Sequence, residues 1–450
     1  MRGVLTHLIL AGVLACYAEG ATDTTGWFQW HGLDRTGTIA DVSGWPQGWP
    51  PKELWRTNVG FGVSAPLLFK GRVYVMGWKE GRDYIHCFDA AGKNGAAREI
   101  WARSYLCPPH SSKGTRFSTC YKGPMATPAM DVKTGYLYTL SCDGDLSCWE
   151  TGDRTEPGKL KWAISLFREY HATACELDYA FFGSPLLYGD WVIVEVGHNT
   201  EGALWGFDKS NGGVAWKSAP GGDRANASPA LMWVEGTPCV AAVTSDRCLV
   251  IRLDKGHEGE SVVEHAWRSV YNESSPSPIA LGNKVLLTMC ESSGRRTQLM
   301  TINSLKKNDF TIKDYTKSFF TCTSTAALNK GNLYFRSGKK VRSFELDSGK
   351  LNWESGDMFE ENHEMGAEVG NLLVTSGDDK MIIWDGMKQG NLVLAEASPG
   401  SGWKELARVN GVLKKSAYEQ GYPHVVFCDG KILCRNMEGD LVCLSVDKGH

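Results

Sequence analysis

Short runs of alternating apolar and polar residues recur from Pro51 to the end of the chain. Each is cut off by Gly, Asn or Asp. Alternation with a period of two is the pattern of strands with one buried face. Gly, Asn and Asp tolerate the positive φ that tight hairpin turns need. The stretch Ser324–Ser355 is the cleanest. "STAAL" predicts a short strand, "NKG" a turn, "NLYFR" a second strand, "SGK" a turn, "KVRSFEL" a third strand, "DSGK" a turn and "LNWES" a fourth. That is a four-stranded antiparallel meander.

The meander repeats. Blocks open with Ser or Thr before Pro in "SAPLL" (Ser64), "ATPAM" (Ala126), "GSPLL" (Gly183), "ASPAL" (Ala227) and "PSPIA" (Pro276). "TSTAAL" (Thr323) and "MGAEV" (Met365) are weaker copies, and "YPHVV" (Tyr422) opens the last. Eight small sheets cannot each bury two faces alone, but eight packed in a ring can. The expected fold is therefore all-β, an eight-bladed β-propeller of four-stranded antiparallel blades. The fourth strands carry Trp101, Trp162, Trp216, Trp267 and Trp353, with Tyr315 in block five and Leu394 in block seven. These large side chains are expected to fill the seams between blades. Block eight lacks a fourth strand, and "PKELWRTNVG" (Pro51–Gly60) is a fourth strand without a block. Leu54–Asn58 should pair near Leu441–Val446 and place Trp55 in the last seam, which removes an open edge.

Composition narrows the function. The chain has 450 residues, 51 Gly and 17 Trp, and a net charge of −3. That balance gives no basic footprint for nucleic acid. No Cys-x-x-Cys or His-Glu-x-x-His occurs, so no metal site is read from spacing. Residues 1–21 read as a signal peptide, with an apolar run at Val4–Leu14 too short to span a bilayer. "VLAC" also permits a lipid anchor at Cys16, so the exported protein is either soluble or membrane-anchored, in the periplasm, at the outer membrane or outside the cell. Residues 22–50 form a lead-in, and 51–450 the ring. No later segment reads as a transmembrane helix.

"DGDLSCWE", "EGALWGFD", "EGDLVCLSVDKG" and "DSGKLNW" resemble the repeat of the pyrroloquinoline-quinone-type (PQQ-like) propeller family. The lead-in "FQWHGLDRTGTIAD" is similar to the openings of secreted bacterial members. The resemblance implies the propeller and leaves function open. Members include alcohol-oxidising quinoproteins that use the quinone with Ca²⁺, and a scaffold lipoprotein of outer-membrane barrel assembly. This chain lacks the adjacent cysteine pair of the dehydrogenases. The expectation is an exported, non-catalytic binding propeller without a cofactor, whose partner is a protein or small polar molecule. PQQ with Ca²⁺ belongs only to the alternative enzyme reading, and the barrel-assembly scaffold is the other alternative.

Binding is expected on the face where long inter-blade connectors meet the turns between second and third strands. Candidate ligand residues there are Glu176, Asp178, Arg224, Asn226, Asn272, Glu273, His363 and Glu364, whose carboxylates, amides and guanidinium suit a polar ligand. Four structural expectations accompany them. Trp403, Leu406, Val409 and Leu413 have helical spacing. Cys107 and Cys120 bracket a connector that a disulfide would pin, with Cys175 a competing partner. A two-residue turn at Glu438-Gly439 would put Cys434 opposite Cys443. That register makes those two a second disulfide candidate.

Overall fold

A computed structural model describes residues 26–39, 48–108, 123–152, 157–172, 181–198, 200–223, 227–267, 276–291, 294–315, 325–337, 339–359, 371–375, 379–385, 390–396, 398–414 and 423–446. The chain forms eight antiparallel four-stranded blades in a ring. The only α-helix among the described residues is Leu166–Tyr170.

Three strands outside the regular order position everything else: β1 (Gly26–Trp27), β2 (Thr38–Ile39) and β3 (Lys52–Asn58). The expected closure holds. β3 pairs antiparallel with Asp440–Ser445, setting Trp55 opposite Cys443 and Asn58 opposite Asp440. Trp55 is fully buried, and its indole donates to the Ala90 carbonyl of the first blade at 3.0 Å.

The recurring tryptophan and the recurring Gly turn are two halves of one joint. A β-bulge lies beside the residue opposite each of Trp55, Trp101, Trp162, Trp216 and Trp353. Those opposing residues are small: Cys443, Cys87, Cys148, Gly206 and Ser343. Each ring then crosses the seam to the turn before the fourth strand of the next blade. A Cβ on Gly158 would stand 2.8 Å from Trp101, and one on Gly212 2.7 Å from Trp162. Gly92 faces Trp55 and Gly349 faces Tyr315 in the same way, while a Cβ on Gly259 would meet the Lys217 carbonyl first, with Trp216 3.5 Å away. Trp162 and Trp353 also donate across the seam to the Lys209 and Ser398 carbonyls, at 2.9 and 3.1 Å. Trp267 lies just past its strand, Ser261–Ala266, and the bulge in that blade falls beside the Val250–Val263 pair.

The Ser/Thr-Pro repeat builds an inner belt. Each hydroxyl accepts the main-chain N–H of the preceding blade. Ala65 donates to Thr127, Thr127 to Ser184, Ser184 to Ser228, Ser228 to Ser277 and Ser277 to Thr325, at 2.8–3.2 Å. The hydroxyls are buried, so each bond satisfies an N–H that water cannot reach.

Three expectations are corrected. Residues 404–410 are not helical: Lys404–Asn410 is the fourth strand of blade seven, paired with Asn391–Glu396. Apolar positions three or four apart fit an exposed outer strand as well as a helix when few side chains are buried, and Leu406 is exposed. Leu394 consequently sits on the third strand, opposite Ala407. The hairpin of block eight is also one residue out of the expected register. Arg435 pairs with Leu441, Cys434 with Val442 and Leu433 with Cys443. Gly439 N–H bonds Asn436 O, Asn436 N–H bonds Asp440 O, and Gly439 has φ +91°. The loop is therefore three residues, Met437–Gly439, closed by a left-handed Gly. A one-residue slip sends side chains to opposite faces. Cys434 and Cys443 point apart, and both are free thiols.

Candidate functional site

Every proposed ligand residue falls outside the described residues: Glu176, Asp178, Arg224, Asn226, Asn272, Glu273, His363 and Glu364. Cys16, Cys120 and Cys175 do too. What the structure does place is the frame around them. Described residues that lead into blades lie against turns between second and third strands: Phe181 N–H donates to Cys142 O at 3.1 Å, and Gly62 N–H to Met437 O at 2.9 Å.

The centre of the ring is where sequence reasoning missed most. β1 adds to the inner edge of blade one, with Gly26 opposite Phe69 and Trp27 opposite Leu68. β2 adds in parallel to the inner edge of blade seven, with Thr38 opposite Val374. Between them the lead-in crosses the ring. The Phe28 carbonyl accepts from Met130 of blade two, and the Thr36 carbonyl from Leu328 of blade six, both at 2.8 Å.

Arg35 is the anchor of this crossing. Its side chain is 2% exposed. The guanidinium donates to Ser184 O at 3.2 Å, to Pro229 O at 2.8 Å and to Pro185 O. Those carbonyls stand at the entrances of blades three and four, beside the serine belt. Nε donates to Gln29 Oε1 at 3.1 Å. Fixed planar donors suit several carbonyls at once. The tip is held from within as well. Gly37 N–H donates to His31 O at 2.9 Å, and Thr36 N–H to Asp34 Oδ1 at 3.1 Å. Burial pushes the Asp34 carboxyl above its ordinary range.

Two imidazoles lie with it. His31 Nδ1 faces the Arg35 carbonyl at 3.2 Å, and Trp30 Nε1–H donates to His424 Nε2 at 3.3 Å. The two histidine rings are 5.3 Å apart. His31 Nε2 and His424 Nδ1 are buried without a hydrogen-bond partner among the described residues. Burial lowers the His31 pKa to about 4, with the Arg35 charge adding to the effect. Burial also holds His424 well below the usual imidazole range, with His31 acting in the same direction. Both rings are neutral at pH 7. Clustered Trp, His, Asp and Arg in "WHGLDRTG" was the available sign that this segment does more than lead in. No periodic pattern accompanied it.

Among the described residues, no group of three or more His, Cys, Asp or Glu is placed to hold a metal ion. No helix among them is long and apolar enough to cross a membrane.

Blade number, the closing strand and the belt define the class as an eight-bladed PQQ-type β-propeller. Residues 98–354, more than half of the chain, match the family described as "Outer membrane protein assembly factor BamB". The chain belongs to that family. None of the curated proteins matches it in sequence. Among solved structures it is similar to BamB from Moraxella catarrhalis, at 12% identity and TM-score 0.54, covering 89% of this chain and 99% of that one. It is also similar to a europium-containing methanol dehydrogenase, at 11% identity and TM-score 0.60, covering 94% of this chain and 90% of that one. A computationally designed protein, Ika8, matches at 10% identity and TM-score 0.57, covering 88% of this chain and 99% of that one. Identities this low establish the fold and nothing about activity.

Proposed function

We propose that this protein is an exported, non-catalytic scaffold that binds a protein or a small polar ligand on the face carrying the long inter-blade connectors. The carrying observation is the lead-in. It runs through the middle of the ring and bonds to blades one, two, three, four, six and seven. A segment so placed rigidifies the frame and leaves the connectors as the variable surface. Rigid frames bearing long loops are built for recognition.

A quinone fits these residues poorly. Trp30, His31 and Arg35 lie on the lead-in that crosses the ring, and the Arg35 guanidinium donates to three carbonyls there, which speaks against a planar cofactor at that point. The chain also has no adjacent cysteines. The barrel-assembly alternative draws on the family match, which speaks for protein partners as a class.

The test is direct. Purified protein is incubated with pyrroloquinoline quinone and Ca²⁺, desalted, and assayed for a retained chromophore and for dye-linked oxidation of primary alcohols. The expected result is neither. A stoichiometric chromophore together with alcohol oxidation would overturn the scaffold reading in favour of the enzyme.

A further inference from the structure

Cys107 directly follows the fourth strand of blade one, Ala96–Leu106, at the root of the connector to blade two. Cys142 lies in the turn between the second and third strands of blade two. The two sulfurs are 3.6 Å apart. Both thiols are buried. Their surroundings are apolar, formed by Val63, Met125 and Met437, with Trp78 and Phe182 against them. The backbone at each end is fixed. Cys107 N–H donates to Gly81 O at 2.9 Å, and the Cys107 carbonyl accepts from the Trp78 indole at 2.8 Å. The Cys142 carbonyl accepts from Phe181 N–H at 3.1 Å.

Asp83 enters this pocket; burial raises its pKa, and the charges of Asp143 and Asp145, in and just after the Cys142 turn, push it in the same direction. Asp83 lies opposite Tyr105 on the neighbouring strand, and the Tyr105 hydroxyl donates to its Oδ2 at 3.2 Å. Asp83 is fully buried and Oδ1 has no hydrogen-bond partner among the described residues. Tyr105 packs against the same cluster as Cys107 and Cys142, which sets the carboxyl at its edge. A buried carboxyl beside a thiol pair is a costly arrangement for packing alone.

We propose that Cys107 and Cys142 are a modification site, a dithiol that closes to a disulfide stapling blade one to blade two, with Asp83 as the proton acceptor. A disulfide is about 2.05 Å long, so the sulfurs approach by roughly 1.5 Å from their 3.6 Å separation. The oxidant is an external disulfide, either a small-molecule disulfide or an exchange protein. Asp83 takes the Cys107 proton. The thiolate attacks one sulfur of the external disulfide, forming a mixed disulfide and releasing one thiolate. Asp83 passes its proton to that thiolate and takes the Cys142 proton, which the Cys107 sulfur and burial hold tightly; Cys142 then attacks the Cys107 sulfur and releases the second. Two protein thiols are oxidised and one external disulfide is reduced to two thiolates, which take up the two protons that the cysteines lose and leave as thiols. Burial lifts the Asp83 pKa to about 7, which suits a group that must accept a proton near neutrality.

The experiment uses the full chain equilibrated in glutathione buffers from fully reduced to fully oxidised, quenched with N-ethylmaleimide and mapped by peptide mass spectrometry. The expected product is a peptide pair joined through Cys107 and Cys142 that disappears on reduction. The melting temperature of the oxidised wild type should exceed that of the reduced form by roughly 4 °C. Cys142→Ser should abolish both the joined peptide and that difference. Asp83→Asn should slow closure about tenfold or more and flatten its dependence on pH between 6 and 8. Two labelled thiols in fully oxidised, folded wild-type protein would overturn the proposal, whatever the variants do. Cys107 joined to Cys120 or Cys175 would overturn it equally. An unchanged rate and pH profile in Asp83→Asn would overturn the assignment of Asp83 as proton acceptor.

Discussion

Replacing Arg35 with Met tests whether the lead-in is a structural member of the ring. Met keeps most of the volume and removes every donor. Three main-chain carbonyls lose a donor, those of Ser184, Pro185 and Pro229. A buried acceptor left unpaired costs about 1–3 kcal/mol. Summed, that is roughly 3–9 kcal/mol against the variant. The variant no longer buries a guanidinium, which returns several kcal/mol. The expected net loss is about 3 kcal/mol. Urea unfolding followed by tryptophan fluorescence reads it as a midpoint lowered by roughly 0.5–1 M. The lead-in should also become cleavable by protease under native conditions, because its hold on blades three and four is gone. Arg56→Met is the control. Arg56 forks onto Glu53 on the surface and is 40% exposed. An exposed pair of that kind contributes under about 1 kcal/mol. If Arg35→Met unfolds within 0.5 kcal/mol of the wild type, or if Arg56→Met costs as much, the reasoning from buried carbonyls is refuted.

Three further outcomes are expected. Gly212→Ala places a methyl 2.7 Å from Trp162 at a φ of +77°, and should cost about 2–4 kcal/mol. Gly236→Ala, also at positive φ but with open space around it, should show only the smaller backbone part, and equal losses would contradict the seam. Burial raises the Asp83 pKa from 3.8 to about 7, so the folded state holds more protons between those values and stability falls as pH rises through about 7. Asp83→Asn should remove that fall and melt higher than the wild type at pH 8, by the equivalent of about 1–3 kcal/mol; a lower melting temperature at pH 8 would contradict it. For His31 the sign reverses. Its pKa drops from 6.5 to about 4, so the unfolded state holds more protons in that interval and stability is lost as pH falls from 6.5 to 4, by up to about 3 kcal/mol. His31→Asn should flatten that acid limb, and an unchanged melting profile from pH 7 to 4 would exclude His31 as its source.

The blades were legible because their signals are local. Alternation and Gly/Asn turns act over neighbouring residues, and a missing fourth strand in block eight has one partner elsewhere in the chain. The bulge-and-turn detail was not. "RNMEGDL" offers either a two-residue or a three-residue loop, and only the Asn436–Asp440 closure with Gly439 left-handed selects the second. That choice shifts the register by one and separates Cys434 from Cys443. The outer strand Lys404–Asn410 was misread because most of its side chains are not deeply buried, so the spacing of its apolar residues carries little information about period.

The recurring motifs were visible as recurrences, but their meaning required the neighbouring blade. Ser-Pro reads as a strand start until the Ser228 hydroxyl is seen accepting from Ser184 N–H, 44 residues away. "GK" followed by Trp reads as a turn entering its own strand, yet the Trp that sits on Gly212 is Trp162 of the blade before. Each repeat thus encodes half of two joints, and the joint exists only where two repeats meet. The lead-in lies one step further from legibility, because it has no repeat at all. Its Arg35 binds carbonyls about 150 and 194 residues away, and main-chain acceptors have no side-chain signature. Function in a ring of this kind sits on whatever breaks the repeat. The connectors, the lead-in and the Asp83–Cys107–Cys142 cluster are therefore where binding and chemistry should be sought.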